Sequence, residues 1–417
     1  EIALAHGDSA ELFFNQTYEG GDKQGDKDLI KIMVDNSWAG VEWLKDLGME
    51  FKDGTFTVIG GLWERAYKPV EPEGSGFFKT YQAYMDNNES GITMQYNTTA
   101  DSFIVEDGVV VGVEATGKTG NKVTVKANNG VVLATGGFGA NIEMREKYNK
   151  ETGLWATLNA DIPTTNVPSI TGDGIVMAEK IGANLVQMGN IQLLPLGDPK
   201  TGSLSGAIEH GVESRIFVNK EGNRFVNEGG RRDDMTNALF KQTDSTLWII
   251  MDSDTYPTGN EVNNFNESVN DLIDQGRAFK ADTLEELAEQ IGVDAANLKA
   301  AVEDYNRHCL GGDLENQPDS FGRTLFIDAN QENNGIDDGP YYAAARVPTV
   351  HHTMGGVQIN TSTQVLNTDG EVIPGLFAAG EVTGGIHGAN RLGGSALTDT
   401  VVFGRIAGDS ASNFARD

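Results

Sequence analysis

Cysteine is almost absent from this chain: Cys309 is the only one in 417 residues. A single thiol excludes an internal disulfide, a CxxCH haem attachment and a thiolate cluster, and by itself it does not identify the compartment. Cations are also scarce, with 31 Lys and Arg against 61 Asp and Glu, a formal charge of −30. Nucleic acid is therefore not expected as a partner, because binding phosphates relies on clustered Lys and Arg. The same excess repels an anionic substrate unless its site is locally basic, which makes the placement of a few arginines informative. No apolar run approaches the roughly 18 residues that a membrane helix needs, so no membrane span is expected. Glu1 to Gly7 has neither a basic n-region nor a long apolar core and does not read as a signal peptide; the chain is expected to be processed or incomplete at its start. No His and carboxylate spacing resembles a ligand set, so no metal is expected. Finally, the first sixty residues contain no G-x-G-x-x-G between a strand and a helix, the usual opening of a dinucleotide-binding α/β domain. Gly60 and Gly61 are the nearest pair there, and no helix start follows them.

What is present reads as a globular α/β chain of about two domains, at roughly 100 to 200 residues each. The first hundred residues read as helical, and Asp28 to Leu47 carries apolar residues at Leu29, Ile32, Met33, Val41, Leu44 and Leu47 before Gly48 stops it. From Ser102 the period changes to two. Phe103 to Val105 and Val109 to Val113 flank the hairpin signal Glu106-Asp107-Gly108, and Val123 to Val125 continues the meander. Val131 to Ala134 reads as a short buried strand ending in Thr135, Gly136 and Gly137, a backbone that a ligand can approach closely. Thr171 to Gly174 is a second glycine turn, leading into a helix from Ile175 to Ile181, and Gly375 to Gly380 is another strand entering a glycine. Arg215 to Val218 and Arg224 to Val226 suggest a further hairpin around Lys220 to Asn223, with Arg224 pinning it. Thr283 followed by Glu286 fits a capping box, while frequent Asn and Asp from Asn260 to Asp338 suggest loops. There are no internal repeats and no low-complexity tracts. The simplest architecture is a nucleotide-binding α/β domain, residues 1–190 and 352–417, interrupted by an inserted domain at 191–351.

Five ordered motifs stand out: Ala134 to Phe138 (ATGGF), Thr171 to Gly174 (TGDG), Asn223 to Glu228 with Arg232 and Asp233, His351 to Gly356 (HHTMGG), and Ala378 to Glu381 running through Gly388 to Leu397 (GANRLGGSAL) to Gly408. Through them the chain resembles the flavoproteins of the fumarate reductase and succinate dehydrogenase family, in the soluble flavocytochrome-like branch that includes fumarate and urocanate reductases. The resemblance implies a Rossmann-like FAD-binding domain whose first βαβ unit is absent, with an inserted α+β capping domain. It implies non-covalent FAD and reduction of the C=C bond of an α,β-unsaturated carboxylate. His352 and Arg391 would hold the substrate carboxylate, Arg232 would deliver a proton and flavin N5 a hydride, and Gly394 would line the substrate site. Ala100, Thr135, Gly136 and Asp173 are implied near the adenosine or its flanking turns, Glu381 at the sugar-like chain, and the backbone of Ser395, Ala396 and Leu397 at the ring. That last group has its own rationale, since a helix beginning near Ser395 aims its positive end at an anionic reduced flavin.

The chain departs from the fumarate-reductase pattern in two places. The family's proton relay falls on Ile208 and Gly211, with Glu209, Glu213 and Arg215 as nearby candidates, and stays unassigned. The family's second carboxylate-binding histidine is replaced in Ile191 to Leu196 by Leu194 or Pro195. With Glu209 as a substrate-facing residue, such a site suits an imidazole ring, which favours urocanate over fumarate. His210 and His308 read as surface or loop residues, and His387 as a turn cap or a site contact. Two alternatives stand beside the reductase: an oxidase or dehydrogenase of amino acids or ketosteroids on the same fold, and a degenerate flavoprotein serving as a binding or electron-carrier module. No haem motif or nicotinamide pocket is visible, so an electron donor, FMN or haem, is expected on a missing domain or separate partner. The resemblance alone implies an extracytoplasmic location.

Overall fold

The computed structural model describes residues 7–415 apart from 73, 88–89, 210–211, 213, 264, 316, 325 and 327–334. His210, Gly211 and Glu213 thus lie outside the described residues. Among the described residues, Ala10–Gly20, Lys27–Asp46 and Ser75–Asp86 are the first helices. The second begins where the Asp26 carboxylate accepts from the Asp28 and Leu29 amides, and it ends before Gly48 at φ +94°. Residues 51–69, expected to be helical, instead form a strap closed by the bridges Phe51 to Pro69 and Phe56 to Ala66. Its glycines at 54, 60 and 61 remove helix propensity over that stretch.

Strands β1 (Thr98–Glu106), β2 (Val109–Gly117) and β3 (Lys122–Lys126) form the expected antiparallel meander. Asp107 and Gly108, both at positive φ, make the turn. β4 (Val131–Leu133) is followed by helices Ile142–Thr152 and Asp173–Glu179, then by β5 (Leu185–Val186), β6 (Ile191–Gly197), β7 (Ile216–Val218) and β8 (Leu247–Met251). The predicted hairpin at 215–226 keeps one strand, β7, and a single bridge from Val218 to Arg224. Arg224 does pin it: its guanidinium lies 2.8 Å from Glu228 and also binds Asp319. The Asn- and Asp-rich stretch holds β9 (Phe279–Ala281) and the helices Val269–Asp274, Leu284–Ile291 and Ala295–His308. The rest of its described residues are the loops expected, where Asn263 accepts from Phe265 N and Asp319 from Phe321 N, both at 2.8 Å, while other polar residues cap the helices. Asp294 accepts from Asn297 N at 2.9 Å, and Thr283 from Glu286 N at 3.2 Å. His308, expected at the surface, is buried against Phe326, with Nδ1 2.9 Å from the Gln317 carbonyl oxygen.

The 13-residue strand β10 (Tyr341–Thr353) pairs with β6, β8 and β9. Side-chain alternation lets this sheet serve two cores. Ile249 and Tyr342 enter one with Phe217, Leu239 and Tyr256, while Ile250 and Ala343 enter another with Leu287, Leu298 and Tyr305. β11 (Gly356–Gln358), β12 (Gln364–Leu366), β13 (Val372–Ala378), β14 (Thr383–Gly384) and the helix Ser395–Ser412 complete the chain. β13 runs parallel to β4, and both enter the largest core, around Phe138, Ile175, Leu193, Val350 and Phe403.

Candidate functional site

β10 ends at the site. Its pairing with β6 slips between Val350 and His352, so that His352 stands opposite Gln192 and His351 is the extra residue. Such a bulge re-aims side chains, and here both imidazoles feel both buried guanidiniums, Arg232 and Arg391. Arg232 opens the helix Arg232–Leu239, and Arg391 lies in the loop before Ser395–Ser412. Gln192 joins them. Its Oε1 accepts from Arg232 Nη1 at 3.3 Å, and its Nε2 donates to the Arg391 carbonyl and to Asn390 Oδ1, both at 2.8 Å. Arg232 Nη2 also donates to the Ile59 carbonyl, and Arg391 Nη1 to the Leu392 carbonyl at 3.3 Å.

The electrostatics are unusual for a chain this acidic. Arg232 and Arg391 are each about 5% exposed, and among the described residues neither makes an ion pair with a carboxylate. Burial, reinforced by Arg391, pulls the Arg232 guanidinium well below its ordinary range. Burial pulls Arg391 down to about 10, with Glu381 acting in the opposite direction. His352 is pushed far down by burial and then by Arg391, so it is neutral at pH 7. Its Nδ1 lies 3.6 Å from Glu381 Oε1. Among the described residues both guanidiniums donate to neutral acceptors, and Glu381 acts on Arg391 without an ion pair, so a carboxylate placed beside them would supply counter-charge.

A second group of residues lies at the carboxyl ends of β4 and β13, where open α/β sheets take ligands. Thr135, Gly136 and Gly137 follow β4, and Glu381 follows β13. Glu381 Oε1 accepts from the Thr353 amide at 2.9 Å, and burial raises its pKa. A Cβ on Gly137 would strike Thr353 Oγ1 and come within 2.6 Å of Glu381, so the backbone passes this carboxylate where only glycine fits. Gly136 takes φ +75°, and Gly174, beside Asp173, packs on Thr135. Asp173 caps its own turn by accepting from Gly174 N at 2.9 Å and is exposed. Ala100 lies on β1 opposite Ala115. The last helix starts at Ser395, as its sequence predicts, with Gly394 at φ +81° and no side chain capping it. Ser395 N and Leu397 N are engaged by the carbonyls of Leu392 and Gly394 at 3.2 and 3.1 Å, which tightens that turn. Gly394, Ser395 and Leu397 line a cavity of about 720 Å³, within the range of ligand sites. A glycine-lined cradle and an uncapped helix start that opens onto a cavity suit a large anionic cofactor such as FAD.

Among the described residues, Glu209 is not an ion-pair partner of Arg232 or Arg391. It forms a buried ion pair with Arg215, Oε1 to Nη1 2.9 Å, a partner not expected from its sequence neighbourhood. His387 is a site contact: its ring meets the His352 ring edge to face at 5.6 Å, and its Nε2 lies 3.0 Å from Asp399 Oδ2. Sequence reading missed Gln192, His351 and the strap at Ile59 and Gly60. Gln192 was visible as the one polar residue of an apolar strand. Gly60 and Gly61 were legible as a close-approach signal once a phosphate loop had been discounted.

Comparison with known proteins agrees with this geometry. A family described as FAD binding domain matches residues 2–397. The NADH:acrylate oxidoreductase of Vibrio harveyi is 42% identical over 97% of this chain and 40% of its own length. The urocanate reductase of Eggerthella lenta is 39% identical over 98% of this chain and 65% of its own. The chain thus spans between two fifths and two thirds of these curated relatives. A solved structure, the open conformation of a flavocytochrome c3 fumarate reductase, superposes with a TM-score of 0.75 at 36% identity, covering 100% of this chain and 70% of the other. With a glycine cradle at the ends of β4 and β13, an uncapped helix start and a family match over residues 2–397, the chain belongs to the FAD-binding flavoproteins of the fumarate and urocanate reductase type.

Proposed function

We propose that the chain reduces the C=C bond of an α,β-unsaturated monocarboxylate, with urocanate preferred to fumarate. The observation that carries this is the pair of buried guanidiniums, Arg232 and Arg391, joined by Gln192 and, among the described residues, held by neutral acceptors. Non-covalently bound FAD supplies the hydride chemistry when reduced. Arg391 and His352 hold the substrate carboxylate. As negative charge grows on the α-carbon and carboxylate, their interaction strengthens, which stabilises the transition state more than the ground state. Arg232 then donates its proton to the α-carbon. An ordinary guanidinium is a poor acid, but one buried beside a second cation and held by an amide and a peptide carbonyl releases its proton more readily.

Leu194 supports the preference for a monocarboxylate. Two residues along β6 from Gln192, it shares the face of that strand that meets the guanidiniums, and it is buried. A second carboxylate there would find an apolar partner. With Glu209 paired to Arg215, the apolar Leu194 carries the preference.

The electron donor is proposed to be an FMN or haem domain outside this chain or on a partner, and the location extracytoplasmic. The division into 1–190 with 352–417 and 191–351 is proposed as cofactor and capping domains. The test is steady-state reduction of urocanate, acrylate and fumarate by the flavin-loaded protein with reduced viologen. Turnover of the monocarboxylates ahead of fumarate is expected. Faster fumarate reduction would remove Leu194 as the specificity residue, and no turnover of any acid would overturn the reductase reading.

A further inference from the structure

Arg232 is a long side chain held at its tip by hydrogen bonds and, among the described residues, by no carboxylate. Something else must fix its stem. Gly60, at φ +73°, lies against it: a Cβ there would fall on Arg232 Nε and within 2.9 Å of both Cδ and Cζ. These are the middle of a buried side chain whose far end is committed to Gln192 and Ile59, so it cannot swing aside without breaking those bonds. The strap is fixed from the other side too. The Gly60 carbonyl accepts from Gly393 N at 2.8 Å, and a Cβ on Gly393 would strike the Ile59 carbonyl oxygen. The strap therefore lies between the Arg232 guanidinium and the start of the helix at Ser395.

We propose that Gly60 is a positioning residue: the space left by its absent side chain is the seat of the Arg232 guanidinium, and the strap sets the distance between that guanidinium and the Gly393–Gly394 turn. The activity arm of the test rests on the proposed function; the other arm does not. Gly54 supplies the control. It lies on the same strap at φ +83° with nothing within 4 Å of a Cβ, so Gly54→Ala carries the backbone strain without the collision.

The experiment is a double-mutant cycle on the flavin-loaded protein. Gly60→Ala is expected to lower Tm more than Gly54→Ala does, and in the Arg232→Ala background its loss is expected to shrink to that of Gly54→Ala, because the atom it strikes is gone. This readout needs no substrate. In steady state, Gly60→Ala is expected to lower kcat about 100-fold with KM within about threefold, while Gly54→Ala stays within about threefold on both. Equal Tm losses for Gly60→Ala with and without Arg232 would overturn the proposal, whatever the activity. If Gly60→Ala alone fails to fold, the double variant with Arg232→Ala still folds under this proposal, and its failure would overturn it. Absence of turnover in the unsubstituted protein, with the stability cycle as expected, would remove the proton-donor role and keep the seat.

Discussion

Arg391→Met should make the substrate-free protein more stable. A buried guanidinium that titrates near 10, against an ordinary value above 12, carries a burial penalty of about 3 kcal/mol at roughly 1.4 kcal/mol per pH unit. Its folded value lies below its unfolded one, so between the two the unfolded chain binds more protons. The penalty is fully present at neutral pH and is relieved only as the pH rises through 10. Methionine fills a similar space without the charge. Loss of the bond to the Leu392 carbonyl returns about 1 kcal/mol, leaving a net gain of about 2 kcal/mol. For 417 residues the unfolding entropy is about 0.9 kcal/mol/K, so Tm of the flavin-loaded, oxidised protein should rise by roughly 2 °C. Saturating urocanate should invert the order, because ligand at about 100 times its Kd stabilises the unsubstituted protein by about 2.7 kcal/mol and the variant hardly at all. Differential scanning calorimetry with and without the acid measures both. A lower Tm for Arg391→Met in both conditions would show that the guanidinium holds the fold together rather than waiting for an anion.

Arg232→Ala should leave the flavin spectrum intact and lower kcat by at least about 10³-fold, as expected for loss of a general acid; near-normal turnover would end its assignment as proton donor. Leu194→His should raise the ratio of fumarate to urocanate kcat/KM by at least about tenfold, since one donor to a buried carboxylate contributes more than about 1.4 kcal/mol; an unchanged ratio would move the specificity determinant elsewhere. Glu209→Gln breaks a buried ion pair and should cost roughly 3 kcal/mol of stability in urea unfolding. It should leave the urocanate-to-fumarate ratio unchanged, and a change in that ratio would return Glu209 to the substrate site.

Much of the site was legible because its residues sit in local patterns. The glycine turn after Val131–Leu133, the helix start at Ser395 and the hairpin at Asp107 are each fixed by neighbours within a few residues, and each stands where the sequence puts it. Long-range partners were not legible. Nothing near Glu209 in sequence announces that Arg215 will take up its carboxylate, because i to i+6 pairing in a loop has no periodic signature. His308 ends an amphipathic helix and is buried because Phe326, 18 residues on, folds over it. The strap at 51–69 was misread for a related reason: its two bridges join residues 10 to 18 apart, and helix periodicity in the flanking segments masked the change. The bulge that brings both His351 and His352 to the guanidiniums arises from strand register, which only the paired strand reveals.

The acidic surface and the basic site act on a substrate at different stages. A net charge of −30 repels anions on approach, but that repulsion is screened beyond about 8 Å at physiological ionic strength. The guanidiniums of Arg232 and Arg391 act without such screening, because they are buried, and only on an anion already inside. A dianion meets the surface repulsion with twice the charge, and within the site its second carboxylate would face Leu194 rather than a cation. A monoanion meets half that repulsion and, under the proposed function, would place its single carboxylate between Arg391 and His352. Under the proposed function, surface charge and site geometry would therefore select in the same direction through independent physics, one depending on salt and the other not. Leu194 alters only the second, so a specificity change from its substitution would persist at high ionic strength, where the contribution of the surface has vanished.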